Sequence, residues 1–309
     1  MNKKKFIFAT IGIFLLFCGW SPPAFSQESI TAPFSDVHIE DRHYVAIEYL
    51  REQGFIQGYE DGKFYPGRDI DRASALALLF KVIKPKPARN ILKVPFADVQ
   101  TTSWFYSLIE QSYSKGVIQG YPDKLFHPER IVNKAQSLKI ALLLQNDSLP
   151  SEVTTRPYSD VELGTWLTPF AEISHERGLF TETRENGGEL LGDTPLTRGQ
   201  FAEFVYRLIK SNQEEKFGRA TFYADFLAGH GTSAGDAYNP DHLTTAHPTL
   251  PFGTKILVKN LANGKEVQVI VNDRGPYAIG VHLDLSKSAF SSIASLGTGI
   301  IDIEYKVVQ

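Results

Sequence analysis

The sequence predicts a multidomain chain: a mainly α-helical repeat unit followed by a small all-β domain. Two observations carry this. The motif Phe34-Ser35-Asp36-Val37 recurs as Phe96-Ala97-Asp98-Val99 and as Tyr158-Ser159-Asp160-Val161, at intervals of 62 residues, and a fixed period of this kind marks a repeat architecture. The final third instead alternates short β-rich runs with Gly and Pro turns, the pattern of a small sheet or barrel. At 309 residues the chain has room for both.

Residues 1–26 read as a secretory signal. Lys3, Lys4 and Lys5 form a charged start, Phe6–Phe17 an apolar run, and Ala24-Phe25-Ser26 a cleavage site. The apolar run is too short for a comfortable membrane span. Cys18 is the single cysteine and lies inside this segment, so the exported part is expected to use no disulfide. Losing the three lysines leaves 29 basic against 35 acidic residues, a formal charge of −6. That excludes nucleic acid as an expected partner, since its recognition wants a basic face.

Each repeat reads as helix, Gly turn, helix. Gly54-Phe55-Ile56-Gln57-Gly58-Tyr59 returns as Gly116–Tyr121 and, in weaker form, as Gly178-Leu179-Phe180. Asp71, Asn133 and Thr197 each open an apolar run of helical period and are suited to N-capping, with helices expected over Ser74–Ile83, Gln136–Leu144 and Gln200–Ile209. The repeats span 34–83, 96–145 and a divergent 158–209. Lys84–Val94 and Gln145–Arg156 read as linkers, and Lys210–Lys216 as a polar hinge before the β domain, which is expected over 218–309.

The repeat motifs resemble S-layer homology repeats: an aromatic-x-Asp-Val start, a turn seen here as Gly58–Pro66 (GYEDGKFYP) and Gly120–Pro128 (GYPDKLFHP), and a TRAE-like helix start. The third repeat departs from this, carrying Glu182–Thr194 in place of the turn. The resemblance implies a pseudo-threefold helical unit that anchors the protein to cell-wall polymer. It also implies that Arg72, Lys134 and Arg198 contact anionic sugars, a task for which a guanidinium suits better than an ammonium. The plainer reading is that these residues solvate helix ends.

In the β domain, Lys255–Asn260 (KILVKN) and Glu266–Asn272 (EVQVIVN) flank Asn263-Gly264, a strong hairpin signal. Gly299–Val308 alternates apolar and polar residues and is expected to close the sheet. Asp284-Leu285-Ser286 precedes KSAFSSIASL, so either Ser286 or Asp284 caps a short helix. Polar and ionisable side chains gather on the turns: Asp236 in TSAGDAY, Thr245 and His247 in TTAHP, Asp273 and Arg274 in VNDRGPY, Asp284 in HLDLS. Residues so placed on a rigid framework read as a site, although Asn272–Pro276 is a turn sequence on any reading.

Gly218–Val307 resembles the double-psi β-barrel of the rare lipoprotein A family of bacterial lytic transglycosylases, related in fold to expansins. The matching blocks are GRATFYA, TSAGDAY through VNDRGP, and HLDLSKSAF, in the family's order. The resemblance implies a six-stranded barrel, Asp273 as catalytic acid, and His247 and Asp236 beside it. Asp236 stands where the family more often has Glu. Arg274, Asp284 and Thr245 are then expected to bind substrate. The activity implied is cleavage of peptidoglycan glycan strands to 1,6-anhydro-muramyl ends, with one carboxyl acting as acid and then base. A non-catalytic, expansin-like binding module is the alternative. An inverting hydrolase with Asp236 as base is another, and needs carboxyls roughly 6.5–9.5 Å apart. No cofactor is expected, and His230, His242 and His247 lack the spacing of a zinc site. The expected state is an exported, wall-associated monomer.

Overall fold

In the computed structural model the residues described are 33–39, 41–180, 188–213, 215–276 and 281–308. The signal expected over 1–26, with Cys18, and residues 182–187 of the third repeat's turn lie outside them. Among the described residues six helices come first: α1 (Tyr44–Glu52), α2 (Arg72–Ile83), α3 (Tyr106–Ser114), α4 (Lys134–Gln145), α5 (Thr168–Arg177) and α6 (Arg198–Ser211). No described helix is long and apolar enough to cross a membrane.

Helices α2, α4 and α6 start two residues earlier than expected, because Asp71, Asn133 and Thr197 themselves are the N-caps. Their side chains accept from the backbone N–H groups of Ser74, Gln136 and Gln200. At Thr197 the Gln200 side chain returns the bond, completing a capping box. The recurring aspartates have an equally local role. Asp36 accepts from the amides of Phe64 and Tyr65 at 2.7 and 2.8 Å. Asp98 takes those of Phe126 and His127, and Asp160 those of Leu190 and Leu191. Tyr65, His127 and Leu191 all sit at positive φ, between 51° and 57°. A side chain rarely adopts that conformation unless its surroundings hold it, and the paired bonds to Asp do so. At Gly58, φ is 69° and an added Cβ would come within 2.5 Å of Phe34 Cε1, which is why the GY turn needs glycine.

The segments before α2, α4 and α6 meet in a closed ring of backbone bonds. Ile70 N–H donates to Leu196 O, Leu196 N–H to Val132 O, and Val132 N–H to Ile70 O, at 3.0–3.1 Å. One apolar core, including Leu50, Leu76, Ile109, Leu138, Phe170 and Phe204, unites all six helices.

The β domain is a closed six-stranded barrel formed by β1 (Lys216–Phe222), β2 (Thr244–Ala246), β3 (Lys255–Asn260), β4 (Glu266–Asp273), β5 (Leu283–Leu285) and β6 (Ile301–Val308), in the order β1-β5-β2-β4-β3-β6. The β1–β5 and β2–β4 pairs are parallel and the others antiparallel. Val267, Val269 and Val271 alternate inward along β4, meeting Ile256, Val258, Leu283, Leu285 and Phe290 in a second core. A short helix, α7 (Lys287–Ile293), is capped by Ser286, whose Oγ accepts from Ala289 N–H, so the cap is Ser and not Asp284.

The hinge expected at Lys210–Lys216 is not a hinge. Lys210 belongs to α6, Lys216 opens β1, and Glu215 between them is buried. Val45, Ala46, Tyr206, Phe217 and Leu261 form a third apolar cluster shared by helices and barrel. Around it, Tyr206 donates its hydroxyl to Glu304, while Lys306 and Lys210 pair with Glu215 at 3.1 and 3.3 Å.

Candidate functional site

The pairing register aligns four residues in one row across the barrel wall. Thr221 on β1 pairs with Asp284 on β5, Asp284 with Ala246 on β2, and Ala246 with Asp273 on β4. The β2–β4 register slips at this point, so that Thr245 opposes Val271 while Ala246 opposes Asp273. Strict alternation after Val271 would turn Asp273 inward; a bulge re-aims a side chain in this way. Two strand spacings separate Asp273 from Asp284, roughly 10 Å between backbones.

The environments of the two carboxyls differ. Oδ1 of Asp273 accepts three bonds, from Ser233 N–H (2.8 Å), Ser233 Oγ (2.6 Å) and its neighbour Arg274 N–H (2.8 Å), and Oδ2 accepts the Tyr223 hydroxyl at 2.7 Å. Burial alone would raise its pKa, but the bonds from Ser233, Tyr223 and Arg274 outweigh burial and hold it below the ordinary carboxylate value. Asp284 is bonded by one side chain, Thr221 Oγ1 at 2.8 Å. Burial raises its pKa, the Thr221 bond offsets part of this, and the charge of Asp273 adds to the rise. The row therefore holds two unlike carboxyls, the Asp273 pKa shifted down by its four donors and the Asp284 pKa shifted up by burial. Tyr223 is pushed well above its usual value by burial and by Asp273, so its phenol stays protonated.

Residues 229–238 fold over this row as a flap. Gly229 N–H bonds Tyr238 O, Tyr238 N–H bonds His230 O, and Ala234 N–H ties the flap to Asn272 O. The rings of Tyr223 and Tyr238 lie 4.7 Å apart. Asp236, expected beside Asp273, stands exposed at the tip, where its main-chain carbonyl accepts from Thr232.

The other expected site residues support this arrangement from behind. His247 is buried, and its Nδ1 accepts the amides of Thr249 and Leu250 at 3.1 and 3.0 Å. Burial, with the charges of Lys216 and Arg274, pushes its pKa down to about 4, so it is a neutral imidazole that locks a loop. Its link to Asp273 is through the backbone, N–H to carbonyl at 3.2 Å. Arg274 grips the same loop, donating to the carbonyls of Leu250 and His247 and lying 3.8 Å over the Phe252 ring. Thr245 is fully buried and donates to Asp284 O. Both side chains bond backbone carbonyls, the Thr245 hydroxyl fully buried and Arg274 through one guanidinium nitrogen while half-exposed. The sequence reading missed Thr221, Tyr223 and Ser233. The period-two signal in Ala220–Tyr223 puts Thr221 and Tyr223 on one face and could have found them.

The helical unit holds two matching grooves. Arg198 donates to Phe64 O and lies over the Tyr59 and Phe64 rings, near Arg68 and the exposed Trp104. Arg72 repeats this, donating to Phe126 O over Tyr121 and Phe126, near Arg130 and the exposed Trp166. Lys134 is 2% exposed and donates to Leu190 O; Arg72 is nearly as buried, at 6%, and Arg198 is half-buried, though each arginine lines a groove. Among the described residues no group of His, Cys, Asp and Glu could hold a metal ion.

Comparison with known proteins places these parts. A family model described as lytic transglycolase matches residues 215–305, and one for the S-layer homology domain matches 33–76 and 95–136, two segments where three repeats were expected. A probable endolytic peptidoglycan transglycosylase RlpA from Nostoc sp. is 41% identical over 109 residues, covering 35% of this chain and 29% of that protein. The endolytic peptidoglycan transglycosylase RlpA of Yersinia pestis is 44% identical over 85 residues, covering 27% and 24%. A probable RlpA of Aquifex aeolicus is 44% identical over 92 residues, covering 30% and 41%. The match thus spans between about a quarter and two fifths of these relatives.

Proposed function

We propose that the barrel is a lytic transglycosylase that cleaves the glycan strands of peptidoglycan, and that the helical unit holds it to cell-wall polymer. The observation that carries this reading is the row of two unlike carboxyls, Asp273 accepting four hydrogen bonds and the half-buried Asp284 one from a side chain, with their pKa values shifted in opposite directions. Division of a carboxyl pair into donor and acceptor is what glycosidic cleavage needs. The expectation gave the acid's part to Asp273, but a carboxylate bearing four donors is a poor proton source. In the mechanism favoured here Asp284 protonates the glycosidic oxygen, and the bond to the anomeric carbon breaks. The Asp273 carboxylate stabilises the oxocarbenium-like charge. The sugar's C6 hydroxyl then closes on the anomeric carbon and gives its proton to the Asp284 carboxylate left by the first step, which restores the acid. No water is consumed, and the product is a 1,6-anhydro-muramyl end. Ser233 and Tyr223 position Asp273, and His247 and Arg274 shape the loop behind it.

In the helical unit, the ring of bonds through Ile70, Val132 and Leu196 and the equivalent roles of Asp36, Asp98 and Asp160 support a pseudo-threefold S-layer homology unit of three repeats. One chain closes that ring, which favours a monomer. Arg72 and Arg198, which line the two grooves, are the residues favoured for anionic sugar. The protein then acts outside the cytoplasm, in the envelope.

Peptide-free glycan strands incubated with the wild type, Asp273→Asn and Asp284→Asn, with products weighed by mass spectrometry, test the reading. Anhydro-muramyl ends from the wild type are expected, falling at least ~100-fold in both variants. Reducing ends would mean hydrolysis. Binding without release would favour the expansin-like alternative.

A further inference from the structure

We infer that Phe226 is a sugar-stacking platform at the rim of the Asp273–Asp284 row, a contact that holds the glycan and takes no part in the chemistry. The inference rests on the glycan-cleaving reading and adds to it a substrate-contacting residue on the barrel surface. Phe226 is 76% exposed, more than any other large apolar side chain among the described residues. A single exposed apolar residue means little by itself; what singles this one out is how firmly its backbone is held. It lies in a one-turn 3-10 segment, Asp225–Leu227. Asp225 on one side is gripped by Lys287 Nζ through both carboxylate oxygens, at 2.7 and 2.9 Å. On the other side Leu227 donates to Ala224 O and accepts from His230 N–H.

These anchors tie the segment to the row. Lys287 is three residues beyond Asp284, and its backbone N–H donates to the Tyr238 hydroxyl. The Asp225 charge also acts on Tyr238, whose ring packs on Tyr223, the donor to Asp273. Phe226 is therefore displayed from a turn fastened to both the Asp284 strand end and the flap over Asp273. A phenyl ring presented this way has little ordering left to lose on binding. Its chemical match is the C–H face of a pyranose ring, apolar yet flanked by hydroxyls, the amphipathic surface that an aromatic side chain covers. Covering roughly 50–60 Å² of apolar surface corresponds to about a tenfold change in affinity.

The test measures the dissociation constant for soluble peptide-free glycan strands in full-length protein carrying Asp273→Asn, so that nothing is cleaved. Adding Phe226→Ala is expected to weaken binding about tenfold, and Phe226→Trp to restore it. In the otherwise wild-type protein, Phe226→Ala is expected to raise KM by a similar factor with kcat within about twofold. An unchanged dissociation constant for Phe226→Ala would overturn the inference, as would a fall in kcat with KM unchanged, because the turn would then only shape the acid site. A parent that binds no glycan would overturn it as well. Retained, Phe226-dependent binding without product release would defeat the lyase reading alone.

Discussion

Glu304 offers a test of how the helices are fixed to the barrel. Its carboxyl is 6% exposed and touches the Tyr206 hydroxyl and the buried Glu215, with Lys210 at 3.8 Å. Burial, and the Glu215 carboxylate sharing its proton, push its pKa from 4.5 up to about 7, against the opposing pull of Tyr206 and Lys210. A raised folded-state pKa means that the native protein holds this proton more tightly than the unfolded chain. The resulting stability is fully present below pH 4.5 and is lost as pH rises to 7. At 1.36 kcal/mol per pH unit the loss is about 3 kcal/mol. Glu215 has a depressed pKa, so its own stabilisation is in place above its unfolded value of 4.5 and its slope is confined to the acid end of this window. His247 does add one, of opposite sign: its pKa lies at about 4, below the ordinary 6.5, so stability rises between pH 4 and 6.5. Over pH 4.5–6.5 these two trends oppose one another. Glu304→Gln removes one of them. Denaturant unfolding at half-unit pH steps should show the variant gaining stability with pH, and the wild-type-minus-variant difference falling by about 3 kcal/mol up to pH 7. A difference independent of pH would refute the reasoning, because Glu304 would then ionise as it does in water.

Three further outcomes follow from the helical unit. Arg72→Ala and Arg198→Ala should each weaken sedimentation with purified walls, by about 3–10-fold for loss of a charge-assisted contact, while leaving glycan cleavage intact. Lys134→Ala should leave wall binding nearly unchanged and lower the unfolding midpoint instead, since it removes a buried bond to Leu190 O. Asp160→Ala strands two amides at a residue held at positive φ and should cost about 2–4 kcal/mol in denaturant unfolding. A loss matching that of Asp36→Ala would show that the divergent third unit is built as the first is.

Much of this architecture was legible in the sequence because its signals are local. Asp71, Asn133 and Thr197 announce helix starts through side-chain bonds to residues three positions away, and Asn263-Gly264 marks its hairpin by backbone preference. The parallel β1–β5 pairing joins residues over sixty positions apart, and no periodicity reports it; it came into view only through the family resemblance. The site was legible in part for the same reason. Asp273 and Asp284 stood out as acids on turns, but their difference in proton affinity depends on Ser233, Tyr223 and Thr221 arriving from other strands. For His247 and Thr245 the sequence was silent on direction, because residue type says nothing about which way a side chain faces, and both are buried. Lys210–Lys216 misled: its polarity reads as solvent exposure, whereas Glu215 and Lys210 meet partners from β6 and become interior charges.

That junction bears on where the protein can work. Tyr206, Phe217 and the Glu215–Glu304 cluster join helices and barrel through a shared interior in place of a tether. An enzyme on a flexible leash patrols a sphere set by the length of the leash. Here any grip the helical unit takes on the wall would fix where the barrel can cut, at a set offset and angle. Cleavage would then fall at a constant displacement from each anchoring point, and new territory would be reached by releasing and rebinding. Attachment would act as a ruler as well as an address.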